Sequence, residues 1–187
     1  SIEDMSYLFA LSSIENIDLS NMKTNHVKNM SYMFYKCEKL KSIDMSLINL
    51  SNVVDFSYMF DSCTVLQEIN LSNEKTFNVK NMSSMFNGCL SLTLLNITNL
   101  DTSNVYDMSY MFHSCESLIS IDLSTLDTKN VKNMSNLFNG CIYLSKVNTK
   151  NLNTENVEDI SGLFQDCHSL TKGDLSSLNS IKPALEV

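Results

Sequence analysis

The chain has 187 residues, and its 21 acidic against 13 basic side chains give a net charge of −8. That balance argues against phosphate or nucleic-acid binding, which needs a basic footprint. The 43% hydrophobic content suffices for a packed core, while only 4 Gly and 1 Pro leave little room for long linkers.

No apolar run approaches the roughly 18 residues that span a bilayer, so this segment is not expected to insert into a membrane. Residues 1–6 have neither a basic stretch nor an apolar one, so no signal peptide is read there. Met5, Leu8 and Phe9 already stand in the register of the repeats that follow. The chain therefore reads as a segment of a longer protein, in which a signal or anchor would lie elsewhere.

A fixed period organises the rest. Phe34, Phe60, Phe86, Phe112, Phe138 and Phe164 are 26 residues apart, as are Cys37 to Cys167 and Val27 to Val157. Phe9 precedes Phe34 by 25, which places a missing residue near Ser12 and Ser13; this first unit also lacks the Cys. The consensus unit is N-V-x-N/D-M-S-x-M-F-x-x-C-x-x-L-x-x-I-D/N-L-S. Within it, Asn29 stands where an Asx side chain caps free backbone N–H groups. Met30, Met33, Phe34, Cys37 and Leu40 then follow at i, i+3, i+4, i+7 and i+10, the spacing of one helix face. Ile43 and Met45 alternate with Ser42 and Asp44, which predicts a short strand. Thr24, Thr76, Thr102, Thr128 and Thr154, followed by Asn and Val, read as the turn to the next unit.

One short helix and one strand cannot close a core alone, so the units must stack. At about 4.8 Å per parallel strand, six full units with partial ends make a curved rod roughly 30 to 35 Å long. The expected fold is an α/β solenoid forming a single domain over residues 1–187. A parallel β-helix is the rival, disfavoured by the helical period. From about Gly173 the pattern degenerates and Pro183 stands where Val recurs, so the C-terminal end is expected to be an incomplete or capping unit. Phe86 is expected to be buried between coils.

Two stretches carry a family resemblance. They are H-V-K-N-M-S-Y-M-F-Y-K-C-E-K-L-K-S-I-D-M-S from His26, where His replaces the usual Asn, and N-V-Y-D-M-S-Y-M-F-H-S-C-E-S-L-I-S-I-D-L-S from Asn104. The unit resembles the BspA-like leucine-rich repeats of bacterial and protist surface proteins, over Ile2 to about Leu178. The resemblance implies a horseshoe or gently curved solenoid and a role in adhesion or partner binding, outside the cell or on its surface. It implies no particular ligand.

Chemistry-bearing residues have simpler readings. The six Cys share an apolar face at uniform spacing, unlike the close pairs of a metal site, and read as buried reduced thiols. Disulfides between adjacent coils are the alternative, although a helix-face ladder would strain to form them. Eight Met, from Met30 to Met134, fall at core spacing. His26, His113 and His168 occupy three different repeat positions, which supports no triad or metal cluster; each reads as a surface substitution. Six N-x-S/T sequons, at Asn29, Asn49, Asn70, Asn81, Asn96 and Asn133, follow from a repeat rich in Asn and Ser. No catalytic, cofactor or metal residues are assigned.

The outward strand positions carry the candidate partner-binding face. One ladder holds Asp18, Asp44, Asn70, Asn96, Asp122 and Asn148. Its regularity reads as structural, with Asx side chains bonding along the stack. The other holds Ser42, Glu68, Leu94, Ser120 and Lys146 and varies freely, as ligand-binding solenoid faces do. Tyr32, Tyr58 and Tyr110 share a position on the helix side and form a second candidate contact. The expected function is a non-enzymatic interaction or adhesion module for a protein or glycoprotein. The alternative is a structural spacer presenting another domain. Exposed apolar residues on the first unit suggest packing on adjacent repeats or on another chain.

Overall fold

The structure, a computed structural model, describes residues 1–73 and 75–171. The expected C-terminal capping unit, with Gly173 and Pro183, lies outside them. Five successive coils each contribute one short strand: β1 Ser42–Asp44, β2 Glu68–Asn70, β3 Leu94–Asn96, β4 Ser120–Asp122 and β5 Lys146–Asn148. The strands pair parallel and in register, Ser42 with Glu68, Glu68 with Leu94 and Ser120 with Lys146. Two sheets result, β1-β2-β3 and β4-β5, because β3 and β4 do not pair. The predicted strand is therefore present in these five units. In the first unit Asn16–Asp18 forms no strand.

The predicted helix is absent. Over Met30–Leu40, as in every described coil, the backbone runs through consecutive tight turns. Met33, Tyr35 and Cys37 N–H donate to the carbonyls of Met30, Tyr32 and Phe34, each three residues back. The intervening N–H groups donate outward, Met30 to Asp55, Tyr32 to Ser57, Phe34 to Met59 and Lys36 to Asp61, at 2.8–3.0 Å. An α-helix would need these same carbonyls and N–H groups for its own i to i−4 bonds; here half of them tie one coil to the next. The turns also require a left-handed backbone twice per unit. Tyr32, Tyr58, Tyr110 and Asn136 adopt φ of 54–57° at the first position, and Lys36, Ser62, Ser114, Gly88 and Gly140 lie at 54–76° at the second. Such residues fit the third place of a type II turn and cannot continue a right-handed helix. The i, i+3, i+4, i+7 spacing survives because successive turns direct the same residues inward.

Inside, each repeat position stacks on its copy. The rings of Phe9, Phe34, Phe60, Phe86, Phe112, Phe138 and Phe164 lie parallel with centroids 5.3–5.8 Å apart. Phe86 is fully buried, as expected. The missing residue of the first unit falls where the spacing placed it: Ser12 takes the place of the Cys, 3.4 Å from Cys37 Sγ, while Lys41 N–H already bonds Glu15 O, 26 residues back.

The cysteines are free and buried. Each thiol donates to the carbonyl of the preceding coil's Phe, as Cys63 to Phe34 O at 3.1 Å and Cys115 to Phe86 O at 3.2 Å. The same carbonyl accepts its own turn's Cys N–H. A residue at this position must therefore be small, apolar and able to donate, which explains Cys better than packing alone. The recurrent Thr is likewise more than a turn residue. Thr24, Thr76, Thr102 and Thr128 are buried, and their hydroxyls donate to Asn49, Asp101, Asp127 and Asn153 carbonyls in the next coil. The Asn before Val reaches back to the previous coil, as Asn104 Nδ2 to Phe77 O at 2.7 Å.

Two measurements check this architecture. An added Cβ at Gly88 would meet Ser62 atoms only at ordinary contact distance, 3.5 Å. Gly88→Ala should therefore cost about 1–2 kcal/mol from backbone handedness alone. Lys36→Gly, at the same position in an exposed site, should be neutral or raise the urea midpoint. Burial pushes the Cys89 and Cys115 thiols up, and the Cys167 thiol to about 12. A thiol reagent should then modify Cys89 and Cys115 no faster than the chain unfolds. Because thiolate favours the unfolded chain at these three positions, their contribution to stability should be full below about pH 8.5 and decline as the pH rises above it.

Candidate partner-binding face

In each strand the middle residue points inward. Ile43, Ile69, Ile121 and Val147 are buried, while Ser42, Asp44, Glu68, Leu94, Asn96, Ser120, Asp122 and Lys146 are exposed; Asn70 and Asn148 are half-buried. The candidate residues on β1 to β5 thus share one outward face. Asp18 stands at the same repeat position on the strandless first coil.

The Asx ladder on this face is structural, but its main bonds differ from the expectation. The side-chain oxygens of Asp18, Asp44, Asn70, Asn96, Asp122 and Asn148 accept the backbone N–H two residues on, at Ser20, Ser46, Ser72, Thr98, Ser124 and Lys150. They close Asx turns where the chain leaves the strand, rather than chiefly bonding along the stack. Hydrogen bonds from Ser124, first its side chain and then its N–H, hold Asp122 below its ordinary carboxylate range, helped by Asn148 and Lys146. Asn29, Asn81 and Asn133 make the same bond to Ser31, Ser83 and Ser135. They cap turns rather than helices. Asn49 does so too, with Ser51, so all six sequon side chains are engaged.

Among the five strands, pairing is interrupted between β3 and β4. Ladder bonds such as Leu71 N–H to Asn96 O and Leu94 N–H to Gln67 O have no counterpart between β3 and β4. A cleft of about 430 Å³ opens there, lined by Thr93 to Thr98, Ser120 to Asp122, Thr125, Lys146 and Asn148. Six of the candidate residues, Leu94, Asn96, Ser120, Asp122, Lys146 and Asn148, border it. Beside it a more open hollow is lined by Thr93, Ser117, Ile119, Tyr143, Ser145 and Ser169. Leu94, Ile119 and Tyr143 are 60–62% exposed. The equivalent positions of the first full unit hold Ser42, Lys41 and Lys39, so this apolar patch belongs to the C-terminal half. Ile119 and Tyr143 lie off the strands, and a strand-face reading alone misses them; large apolar residues at otherwise polar repeat positions are the available signal.

Tyr32 and Tyr58 stack at 4.6 Å, and Tyr7 extends the stack onto Tyr32 at 4.6 Å. Tyr110 is separated from them by Ser84 in the intervening coil, so the three candidate tyrosines do not form one contact. His113 is not a plain surface substitution. Its Nδ1 lies 2.7 Å from Asn87 Oδ1, and Asn87 Nδ2 donates to the buried Asp61 at 2.8 Å. Burial lowers the His113 pKa, opposed by the Asp61 charge. Asn87 sits between acid and imidazole, so the three form a relay in which Asp61 and His113 meet through its amide. No group of three or more His, Cys, Asp or Glu among the described residues is placed to hold a metal ion.

The family described as "Mycoplasma protein of unknown function, DUF285" matches residues 1–94 and again 91–183. No curated protein sequence matches the chain significantly. Among solved structures, a leucine-rich repeat protein from Bacteroides ovatus aligns over 96% of this chain and 43% of its own length, at 20% identity and a TM-score of 0.51. The leucine-rich repeat protein of T. pallidum aligns over 91% of this chain and 81% of its own, at 20% identity and a TM-score of 0.49. A leucine-rich cell surface protein of Faecalibacterium prausnitzii aligns over 71% and 38%, at 21% identity and a TM-score of 0.45. The Bacteroides likeness shows a leucine-rich repeat solenoid, of which this chain spans less than half the length.

The relay has a pH signature. A lowered His113 pKa means that protonation favours the unfolded chain. Its contribution is present above the ordinary histidine pKa of about 6.5 and lost as the pH falls through the lower native value. His113→Asn, which copies Asn87 and Asn139, should flatten stability against pH in that window, as read by thermal melts from pH 7.5 to 5.

Proposed function

The chain belongs to the family of Mycoplasma proteins of unknown function, DUF285, with repeats of the BspA-like leucine-rich kind, and from that membership we propose a non-enzymatic protein-interaction module. It acts in adhesion at the cell surface and takes a protein or glycoprotein partner. The observation that carries this reading is the patch of Leu94, Ile119 and Tyr143 beside the cleft. An apolar, partly aromatic cluster rimmed by Ser, Thr, Asp and Lys has the make-up of an interface core and its polar rim. A spacer needs no such cluster. The candidate strand residues form the surrounding rim, with Lys146 and Asp122 supplying charge that sets orientation more than affinity. Tyr32 and Tyr58 offer a second contact on the turn side. The exposed Ile2, Tyr7, Leu8 and Leu11 of the first coil pack on further repeats or on another chain.

The test is binding to a panel of immobilised cell-surface proteins and glycoproteins. The chain should bind at least one member, and replacing Leu94, Ile119 and Tyr143 together by Ser should weaken that affinity at least tenfold with an unchanged melting temperature, as the loss of central anchors does. Binding to none, or equal binding by the variant, would favour the spacer.

A further inference from the structure

The opening between β3 and β4 is confined to one side of the solenoid. The same two coils are closed on the turn side, where Met82 and Phe86 N–H bond Asp107 and Met111 carbonyls at 2.9 Å and Phe86 stacks on Phe112 at 5.4 Å. On the strand side, Ile97 N–H and Thr93 O face β4 without a ladder partner, and Ser120 N–H and Asp122 O face β3 likewise; their counterparts Leu71 N–H, Gln67 O, Leu94 N–H and Asn96 O are all bonded. The sequence marks the place. The neighbouring units read Ile69-Asn70-Leu71 and Ile121-Asp122-Leu123, whereas this one reads Leu95-Asn96-Ile97. Leu95 is half-buried where Ile69 and Ile121 are buried. The β-branched residue that suits a pleated inward position has moved two places along.

We propose that this cleft admits an extended peptide segment of the partner as an added strand, paired to the open edges of β3 and β4. Unmet backbone donors and acceptors in a recess are costly. A second extended backbone is the ligand that offers both kinds of group at strand spacing along both edges. The volume, about 430 Å³, is within the usual range for binding clefts of roughly 300–1,000 Å³. Leu94 on one lip takes an apolar side chain from the peptide, and Lys146 lies on the other. The proposal rests on the interaction-module reading and adds to it the kind of segment bound and the way it binds.

The experiment selects peptides from a displayed random heptapeptide library against the intact chain and follows amide hydrogen exchange. In the free chain, Ile97 and Ser120 amides should exchange at least tenfold faster than Leu71 and Leu94. A selected peptide should slow both by at least tenfold, and N-methylation of alternate peptide amides should abolish its binding. The swap Leu95→Ile/Ile97→Leu, which restores the neighbouring pattern, should close the cleft and reduce peptide affinity at least tenfold. Ile97 and Ser120 amides already protected in the free chain, failure to select any peptide, or a selected peptide that tolerates N-methylation would each overturn the proposal. The interaction-module reading stands or falls separately, on the Leu94, Ile119 and Tyr143 variant.

Discussion

Every coil must match its neighbour residue for residue, because half of the backbone N–H groups in the turn segment are satisfied only by the next coil. Once Met30, Tyr32, Phe34 and Lys36 donate to Asp55, Ser57, Met59 and Asp61, a residue 26 positions on is fixed as the nearest neighbour. Like then stacks on like, and each position is chosen for what can stack. Phenyl rings stack well, and Cys and Thr each donate to a carbonyl of the adjoining coil. Carboxylates stack badly. The position of Asp4, Asn29, Asp55, Asn81, Asp107, Asn133 and Asp159, bridged in sequence along the stack, alternates strictly between Asp and Asn. All can accept the Asx-turn hydrogen bond, but alternation keeps carboxylates from facing one another at about one strand spacing of 4.8 Å. Asn29 donates to Asp4 in addition.

The stacking has a local cost. Two left-handed residues per unit are disfavoured for side chains other than Gly or Asn by roughly 1–2 kcal/mol each. Tyr, Lys, Leu and Ser nevertheless hold these conformations, because the coil-to-coil hydrogen bonds on either side leave no alternative path. At the first of the two positions, side-chain stacking of Tyr7, Tyr32 and Tyr58 offsets part of that cost. The four ion pairs among the described residues, such as Lys28 with Glu3 and Lys132 with Glu158, are well exposed and contribute little.

A fold in which neighbours are fixed leaves variation to positions whose side chains point outward. That is where Leu94, Ile119 and Tyr143 depart from the polar residues of the first full unit. The departure coincides with the place where pairing lapses between two formed strands, β3 and β4, while the turn side stays closed. A rigid half and an opened half in the same pair of coils make a recess without disturbing the stack, which is how a monotonous scaffold acquires a distinctive site.

The period, the inward set, the reduced thiols, the shortened first unit and the short strands were all legible in the order of the residues. All of these follow from which residues recur at 26, and recurrence is visible without coordinates. Residue order misassigned the turn segment, since apolar spacing at i, i+3, i+4 and i+7 reports which side chains face inward and not which carbonyl each N–H meets. Gly88, Gly140, Gly162 and Asn136 at the left-handed positions were the available sign against a helix. The stacked coils alone reveal that the backbone bonds run from coil to coil, that Cys and Thr are hydrogen-bond donors, and that His113 connects through Asn87 to Asp61. They alone place the lapse between β3 and β4. These are relations between residues about 26 apart in the chain and a few ångströms apart in space, and a single unit read alone does not contain them.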